Sequence, residues 1–145
     1  MSDHTLQDSI EVEFEFNAAI ATVWQAITDP QQMRQWYFEQ INQFEPIVGF
    51  ETRFDVQCDG RNFEHCWKII EAQPMSVLKY EWSYTGYAGE SEVHWMLTEK
   101  GQGTQLNLVQ IGIETFDQSD PIFSRESGEA GWDYFIRESL ANFLR

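Results

Sequence analysis

Four side chains outside the N-terminal tail carry the donor atoms that metal binding and nucleophilic catalysis use: Cys58, His65, Cys66 and His94. A zinc site needs three or four such ligands directed at one point. Because side chains alternate along a strand, His65 and Cys66 face opposite ways, and His94 faces away from Trp95, toward solvent. The sequence therefore predicts no metal site.

His65 is the one histidine of these whose position in a strand points to the interior. A general base needs a reacting group or a second catalytic side chain beside it, and no inward-facing pair of carboxylates is available. The acids of the first strand, Glu11, Glu13 and Glu15, belong to its wet face. A hydrogen-bonded core residue and a base in a pocket both fit His65. We therefore predict no catalytic residue and favour a protein that is not an enzyme.

Glycine-rich stretches occur at Gly86-x-x-Gly89 and Gly101-x-Gly103. Both fall in hairpin loops between antiparallel strands, whereas a phosphate-binding loop connects a parallel strand to a helix. The sequence therefore predicts no nucleotide site in these loops, and we expect no cofactor.

Aromatic residues are abundant, with 6 Trp, 5 Tyr and 11 Phe among 145 residues. Strand parity, or a position near the open end of the sheet, makes several of them candidate walls of an apolar cavity. The aromatic candidates are Trp36, Phe38, Phe54, Trp67, Trp82, Trp95, Trp132 and Phe135. Polar contacts to a ligand would come from His65, Tyr80 and Gln110. The alternative is that the rings fill the space themselves.

Alternation of apolar and polar residues predicts the strands that would position these side chains. The stretch 11–16 alternates strictly between acid and apolar residues, which is typical of a strand with one buried face. The same period recurs over 52–58, 63–71, 78–82, 93–97 and 106–108. Asp59-Gly60 is a strong hairpin signal. Short turns between these stretches indicate an antiparallel meander.

Helical periodicity occurs on both sides of the strand-rich region. The residues after Asn17, a good N-cap, repeat at helical spacing, and Asp29-Pro30 begins a second short helix. Asp120-Pro121 begins a long C-terminal helix in which Gly128 is a candidate break. Gly128 and Gly131 each cost about 1 kcal/mol relative to Ala inside a helix. Close packing or room for a ligand would explain them.

The 24 acidic and 9 basic residues give a formal net charge of −15. This charge repels phosphate backbones and anionic lipid head groups, so we expect no nucleic-acid partner. No apolar run reaches membrane-spanning length, which predicts no stable membrane insertion. Because the N-terminus lacks a secretory pattern, we expect a cytoplasmic protein with reduced cysteines. The polar composition of residues 1–9 predicts a flexible tail, and the length of the chain predicts one domain over 10–145.

A series of motifs runs through the chain. It comprises Ala19-x-x-x-Val23-Trp24-x-Ala26-Ile27-Thr28-Asp29-Pro30 with Met33-x-x-Trp36, then Leu78-x-Tyr80-x-Trp82, Val93-x-Trp95-x-Leu97, Gly103-Thr104-x-Leu106-x-Leu108 and Gly131-Trp132. In order and spacing they resemble the START-like (SRPBCC) superfamily, and within it the branch named for homologues of the activator of the heat-shock-protein-ninety ATPase. The likeness extends from Ile10 to Leu144.

The resemblance implies an α+β helix-grip fold. In that fold a curved antiparallel sheet of about six or seven strands wraps around a long C-terminal helix, two short helices follow the first strand, and a deep apolar cavity lies between. Relatives bind lipids, sterols, polyketides or plant hormones, some cyclise polyketides, and the namesake stimulates a chaperone ATPase. Relatives often carry a His late in the last strand, where this chain has Gln110, so a role that depends on that His is not carried over.

Three functions fit the sequence, because one fold serves many activities. The first is a small soluble protein that holds a hydrophobic or amphipathic small molecule, such as a lipid, between the sheet and the last helix, with Gly128 in the wall. The second is a module that regulates a chaperone or another protein partner through its acidic surface. The third is a cyclase or hydrolase that uses the same cavity. A homodimer is a further possibility, since exposed edge strands and aromatic patches often pair.

Overall fold

The computed structural model describes residues 9–145, and residues 1–8 of the predicted tail lie outside the described residues. Within that range six strands form one curved antiparallel sheet with the order β1-β6-β5-β4-β3-β2. The strands are β1 (Ile10–Phe16), β2 (Glu51–Cys58), β3 (Arg61–Gln73), β4 (Val77–Tyr84), β5 (Ser91–Lys100) and β6 (Gly103–Ile111). The predicted antiparallel meander is confirmed.

The inner face of the sheet consists of the residues that sequence parity placed there. In β3, for example, Phe63, His65, Trp67 and Ile69 are buried, and their neighbours along the strand are more exposed. The strand β1 alternates in the same way and exposes its three glutamates. The apolar face is therefore continuous across the sheet and needs a covering layer.

Two short helices follow β1, as predicted: α1 (Ile20–Thr28) and α2 (Pro30–Trp36). The carboxylate of Asp29 caps α2 by accepting a hydrogen bond of 3.0 Å from the backbone N–H of Gln31. The cap predicted at Asn17 is wrong, because α1 begins after Ala19, which makes no side-chain cap.

The C-terminal helix, called α3 here, combines an α-helical segment (Arg125–Trp132), a π-helical segment (Asp133–Leu140) and a final α-helical turn (Ala141–Phe143). The α-helical segment continues through Gly128, so the break considered there is wrong. The predicted start is early, because Pro121–Phe123 forms a separate 3₁₀ turn and Ser124 caps α3. No helix within residues 9–145 has the length and apolar character needed to cross a membrane.

Asp59-Gly60 forms the tight turn between β2 and β3, as predicted. Both residues have positive φ angles, 51° and 73°, which a two-residue hairpin turn requires and which glycine accommodates readily. The resulting register places Cys58 opposite Arg61, and Cys66 further along the partner strand. Both cysteines are free.

Candidate functional site

A cavity of about 290 Å³ lies between α3 and one end of the sheet. Its floor is formed where β2 and β4 end and β3 begins, and its roof is the α-helical segment of α3. A third wall comes from the connection between β6 and α3, residues 112–124. The lining residues are Ile10, Phe38, Val56, Cys58, Phe63, His65, Trp82, Tyr84, Gln110, Ile113, Phe116, Ile122, Phe123, Ser124, Ser127, Gly128, Gly131, Trp132 and Phe135.

The structure brings seven of the twelve sequence-predicted site residues into this wall. The seven are Phe38, His65, Trp82, Gln110, Gly128, Trp132 and Phe135. They come from strands β3, β4 and β6, from α3 and from the segment after α2. Because the seven residues line one cavity, the prediction of which side of the sheet faces the interior is correct for them. Their role in ligand binding stays a prediction.

The other five predicted site residues lie outside the cavity wall, in the core over the rest of the sheet. They are Trp36, Phe54, Trp67, Tyr80 and Trp95. The indole N–H of Trp95 donates to the Tyr80 hydroxyl at 3.0 Å, and that hydroxyl lies 2.8 Å from the hydroxyl of Tyr37. Trp36 donates its indole N–H to the carbonyl of Ala26 at 2.8 Å. Aromatic side chains therefore fill this half of the space beneath the helices.

Twelve of the nineteen wall residues were not predicted from the sequence, and five of them lie in the connection before α3. Phe116 and Phe123 stack at 5.5 Å and pack with Phe63 and Tyr84 of the sheet. The connection has no helical or strand period, so nothing in its pattern indicated that its rings turn inward. Phe63 was assigned to the inner face by parity, and that signal alone could have added it to the site.

The connection between β6 and α3 is tied to the sheet by polar contacts. Arg61 of β3 donates to both carboxylate oxygens of Asp120, the shorter distance being 2.9 Å, and stacks over the ring of Phe63 at 4.9 Å. The guanidinium holds the pKa of Asp120 below its ordinary value. The amide of Gln118 donates to three carbonyls of the same connection. These contacts fix the wall that Phe116 and Phe123 form.

A chain of hydrogen bonds connects α3 to β4 through residues of the cavity wall. The indole N–H of Trp132 donates to Oε1 of Gln110 at 2.8 Å, and Nε2 of Gln110 donates to Oγ of Ser91 at 3.0 Å. The Ser91 hydroxyl in turn donates to the carbonyl of Trp82 at 2.9 Å. Because the indole N–H of Trp132 can only donate, the Gln110 atom facing it must be the amide oxygen. The amide orientation of Gln110 is therefore fixed.

His65 lies in the cavity wall as an uncharged hydrogen-bond acceptor. Its Nδ1 is 3.1 Å from the carbonyl oxygen of Phe63, and because a carbonyl only accepts, Nδ1 carries the proton. The side chain is 5% exposed, and burial lowers its pKa to about 4. At neutral pH the second nitrogen, Nε2, therefore presents a lone pair.

Trp82 and Tyr84 of β4 add two further polar groups to the same wall. Nε1 of Trp82 is fully buried and has no hydrogen-bond partner within residues 9–145. Burial raises the pKa of the Tyr84 hydroxyl to about 12, and the nearby Trp82 indole partly offsets this rise without forming a hydrogen bond of good geometry. The wall therefore contains an unpaired donor next to an aromatic hydroxyl.

The two glycines of α3 have different surroundings. A Cβ at Gly128 would lie 2.7 Å from Cδ1 of Ile10 in β1, so this glycine allows close packing of helix and sheet. A Cβ at Gly131 would meet no atom within 4 Å. Of the two explanations that the sequence left open, packing applies to Gly128 and open space beside the cavity applies to Gly131.

No group of three or more His, Cys, Asp or Glu side chains suited to hold a metal ion occurs among residues 9–145. The arrangement that the structure does offer is an apolar, aromatic chamber with a few fixed polar groups. Such a chamber can bind an organic molecule and orient it.

The model of the family described as Activator of Hsp90 ATPase homolog 1-like protein matches residues 17–145. The chain belongs to this family. The resemblance inferred from the motifs is thereby confirmed, and so is the helix-grip fold that it implied. No sequence among curated proteins matches this member of the Activator of Hsp90 ATPase homolog 1-like family.

Solved structures similar to this family member include proteins of several bacteria. DynU16, a protein in the dynemicin biosynthetic locus, is 26% identical with a TM-score of 0.75, over 94% of this chain and 47% of its own. This chain therefore spans about half the length of DynU16. CalU16 from Micromonospora echinospora is 26% identical with a TM-score of 0.69, over 94% and 75% of the two chains. A protein from Chromobacterium violaceum is 19% identical with a TM-score of 0.78, over 95% and 97%, and shows the fold alone.

Proposed function

We propose that this protein binds a hydrophobic or amphipathic small molecule in the cavity between α3 and the sheet. The supporting observation is the contrast between the two halves of the interior. Aromatic side chains fill one half. The other half retains a cavity of about 290 Å³, which is lined by aromatic rings and is open beside Gly131. A close-packed core leaves few spaces larger than a water molecule, so an apolar space of this size supports a binding site.

The expected affinity follows from the apolar area that such a ligand would bury. Burial of about 300 Å² gains roughly 7 kcal/mol, and association costs at least about 4 kcal/mol. A balance of about 3 kcal/mol is somewhat weaker than a millimolar dissociation constant. Each well-placed hydrogen bond adds about 1 kcal/mol. We therefore expect dissociation constants of several millimolar for purely apolar probes, and from the high micromolar to the millimolar range for probes that add one or two hydrogen bonds.

The comparison with DynU16 agrees with this proposal. That protein is encoded in the dynemicin biosynthetic locus, and its likeness extends over 94% of this chain at 26% identity. Likeness to a protein encoded in a biosynthetic locus supports a small-molecule ligand for this family member. The chemical class of the ligand has to be inferred from the size and lining of the cavity.

The tryptophan side chains provide a direct test. Trp82 and Trp132 line the cavity, whereas Trp24 lies on α1 away from it. In protein labelled with ¹⁵N at the indoles, titration with naphthalene, 2-naphthol or decanoate should shift the indole N–H signals of Trp82 and Trp132 in a saturable way. The signal of Trp24 should stay in place.

A matched pair of variants in α3 provides the control. Gly131→Leu adds a side chain where the space beside the cavity is open, and it should weaken probe binding at least tenfold. Ala130→Leu adds similar bulk at the neighbouring exposed position and should leave binding unchanged. Absence of shifts for all probes, or equal effects of the two substitutions, would contradict the proposed function.

A further inference from the structure

The size of the cavity limits the ligand. A protein cavity of about 150 Å³ accommodates benzene, so the 290 Å³ between α3 and the sheet corresponds to about two fused rings. Eight of the nineteen lining residues are Phe, Trp or Tyr, whose rings pack favourably against another aromatic ring. Size and wall chemistry together fit a flat aromatic body better than a long acyl chain.

The charge of the wall limits the ligand further. No Lys, Arg, Asp or Glu side chain occurs among the lining residues. Arg61, which stacks over the wall residue Phe63, is already paired with Asp120. His65 is uncharged at neutral pH, as derived above. A buried charge without a partner is costly, so the cavity disfavours carboxylates, phosphates and ammonium groups.

The wall contains polar groups with unused hydrogen-bonding capacity, and one of them is an acceptor that a ligand can reach. The fully buried and unpaired side-chain nitrogens within residues 9–145 are Nε1 of Trp67 and Nε1 of Trp82. Nε2 of His65 has no hydrogen bond in that part of the chain and is not among them, so it keeps access to the cavity that His65 lines. Because Nδ1 holds the ring proton, Nε2 can only accept. A ligand that satisfies it must donate.

We propose that the ligand is an uncharged aromatic molecule of about two fused rings, whose hydroxyl group donates a hydrogen bond to Nε2 of His65. This inference rests on the proposed function and adds the chemical class of the ligand. The rings of Phe38, Phe54, Trp82 and Tyr84 surround the imidazole at centroid distances of 4.8 to 5.4 Å. They hold it in place, so the acceptor is oriented before the ligand arrives.

A matched series of naphthalene probes tests this class with the wild-type protein. The series comprises 2-naphthol, 2-methoxynaphthalene, 2-naphthoate and a naphthyl trimethylammonium salt, each titrated at pH 7 while the indole signals of Trp82 and Trp132 are followed. We expect 2-naphthol to bind about three- to tenfold more tightly than 2-methoxynaphthalene, which cannot donate. The two charged probes should bind at least tenfold more weakly than 2-naphthol.

A substitution at the acceptor makes the test specific. In His65→Leu the advantage of 2-naphthol over 2-methoxynaphthalene should disappear, while binding of the methoxy probe stays within about twofold of wild type. Tyr80→Phe removes a buried hydroxyl outside the cavity and should preserve the advantage. If His65→Leu does not fold, the wild-type series still decides the question.

The outcomes separate this inference from the proposed function. Binding of 2-methoxynaphthalene, naphthoate or the ammonium probe as tightly as 2-naphthol would overturn the inference and leave a cavity that binds small molecules. Absence of indole shifts for every probe would overturn both. A donor advantage that persists in His65→Leu would also overturn the assignment of His65 as the acceptor.

Discussion

His65 couples protonation to stability, and the sign of the effect follows from its buried position. Unfolding returns the pKa from about 4 to its ordinary value near 6.5. Between these values the unfolded chain binds more protons than the folded one, so the free energy of unfolding falls as the pH decreases. From pH 7 to pH 5 this single group should lower it by about 2 kcal/mol.

Comparison with His65→Gln isolates that contribution in urea denaturation at the two pH values. The variant keeps an amide that can donate to the Phe63 carbonyl, but it has no group that titrates in this range. Its loss of stability between pH 7 and pH 5 should be about 2 kcal/mol smaller than that of wild type. Identical losses in both proteins would show that His65 becomes protonated without hindrance in the folded state.

At the level of single residues, strand parity was a reliable guide. It assigned Phe63, His65 and Trp82 to the inner face, and all three line the cavity. Strand parity could not show that the side-chain amide of Gln110 hydrogen-bonds to Trp132 and Ser91, because those contacts join β6 to α3 and to β5. Contacts between distant segments depend on the packed structure rather than on local spacing.

At the level of elements, the two glycines of α3 should respond differently to the same substitution. Replacing Gly by Ala inside a helix typically gains about 0.5 to 1 kcal/mol. We expect this gain for Gly131→Ala, because its methyl group enters open space. For Gly128→Ala we expect little gain or a loss, because the methyl group would displace Ile10, which is only 2% exposed.

Urea denaturation at constant pH measures both changes in one experiment. The midpoints should separate by at least the equivalent of 0.5 kcal/mol, with unchanged dependence on urea concentration as the sign that the folded state is intact. Equal stabilisation by the two substitutions would mean that Ile10 yields freely and that the contact between α3 and β1 is loose.

The elements themselves were largely predictable, and the exceptions have physical causes. The caps at Asp29 and Asp120 are local signals, and each does begin a helical turn. The turn at Asp120 stops after Phe123, however, and Ser124 starts α3 anew. The π-helical hydrogen bonding from Asp133 onward has no sequence signature in a single chain. Which i→i+5 bonds form depends on how the helix packs against its neighbours.

At the level of the whole molecule, the sequence predicted a cavity beneath α3 but not where along the sheet it would lie. The sequence did not distinguish the wall residues from Trp36, Trp67 and Trp95. In the structure these three side chains fill the opposite half of the interior. The difference arises from the covering elements, since α2 rests over one half and the connection 112–124 encloses the other. Placement of these covers requires the three-dimensional fold.

The net charge is a property of the whole chain and leads to the last prediction. With 24 acidic and 9 basic residues, repulsion among like charges outweighs attraction, and folding brings these charges closer together. Salt screens such repulsion, since the screening length falls from about 30 Å at 0.01 M to about 10 Å at 0.1 M. The free energy of unfolding should therefore rise by on the order of 1 kcal/mol when NaCl increases from 10 mM to 200 mM.

A charge-reduced variant tests whether repulsion causes this dependence on salt. Glu13 and Glu138 are exposed and take part in none of the ion pairs found within residues 9–145, so Glu13→Gln with Glu138→Gln removes two negative charges without breaking a pair. At 10 mM NaCl the variant should be more stable than wild type, and its gain on adding salt should be smaller. A fall in wild-type stability with added salt would instead indicate that the few ion pairs, such as that between Lys100 and Glu15, outweigh the repulsion among the excess acids.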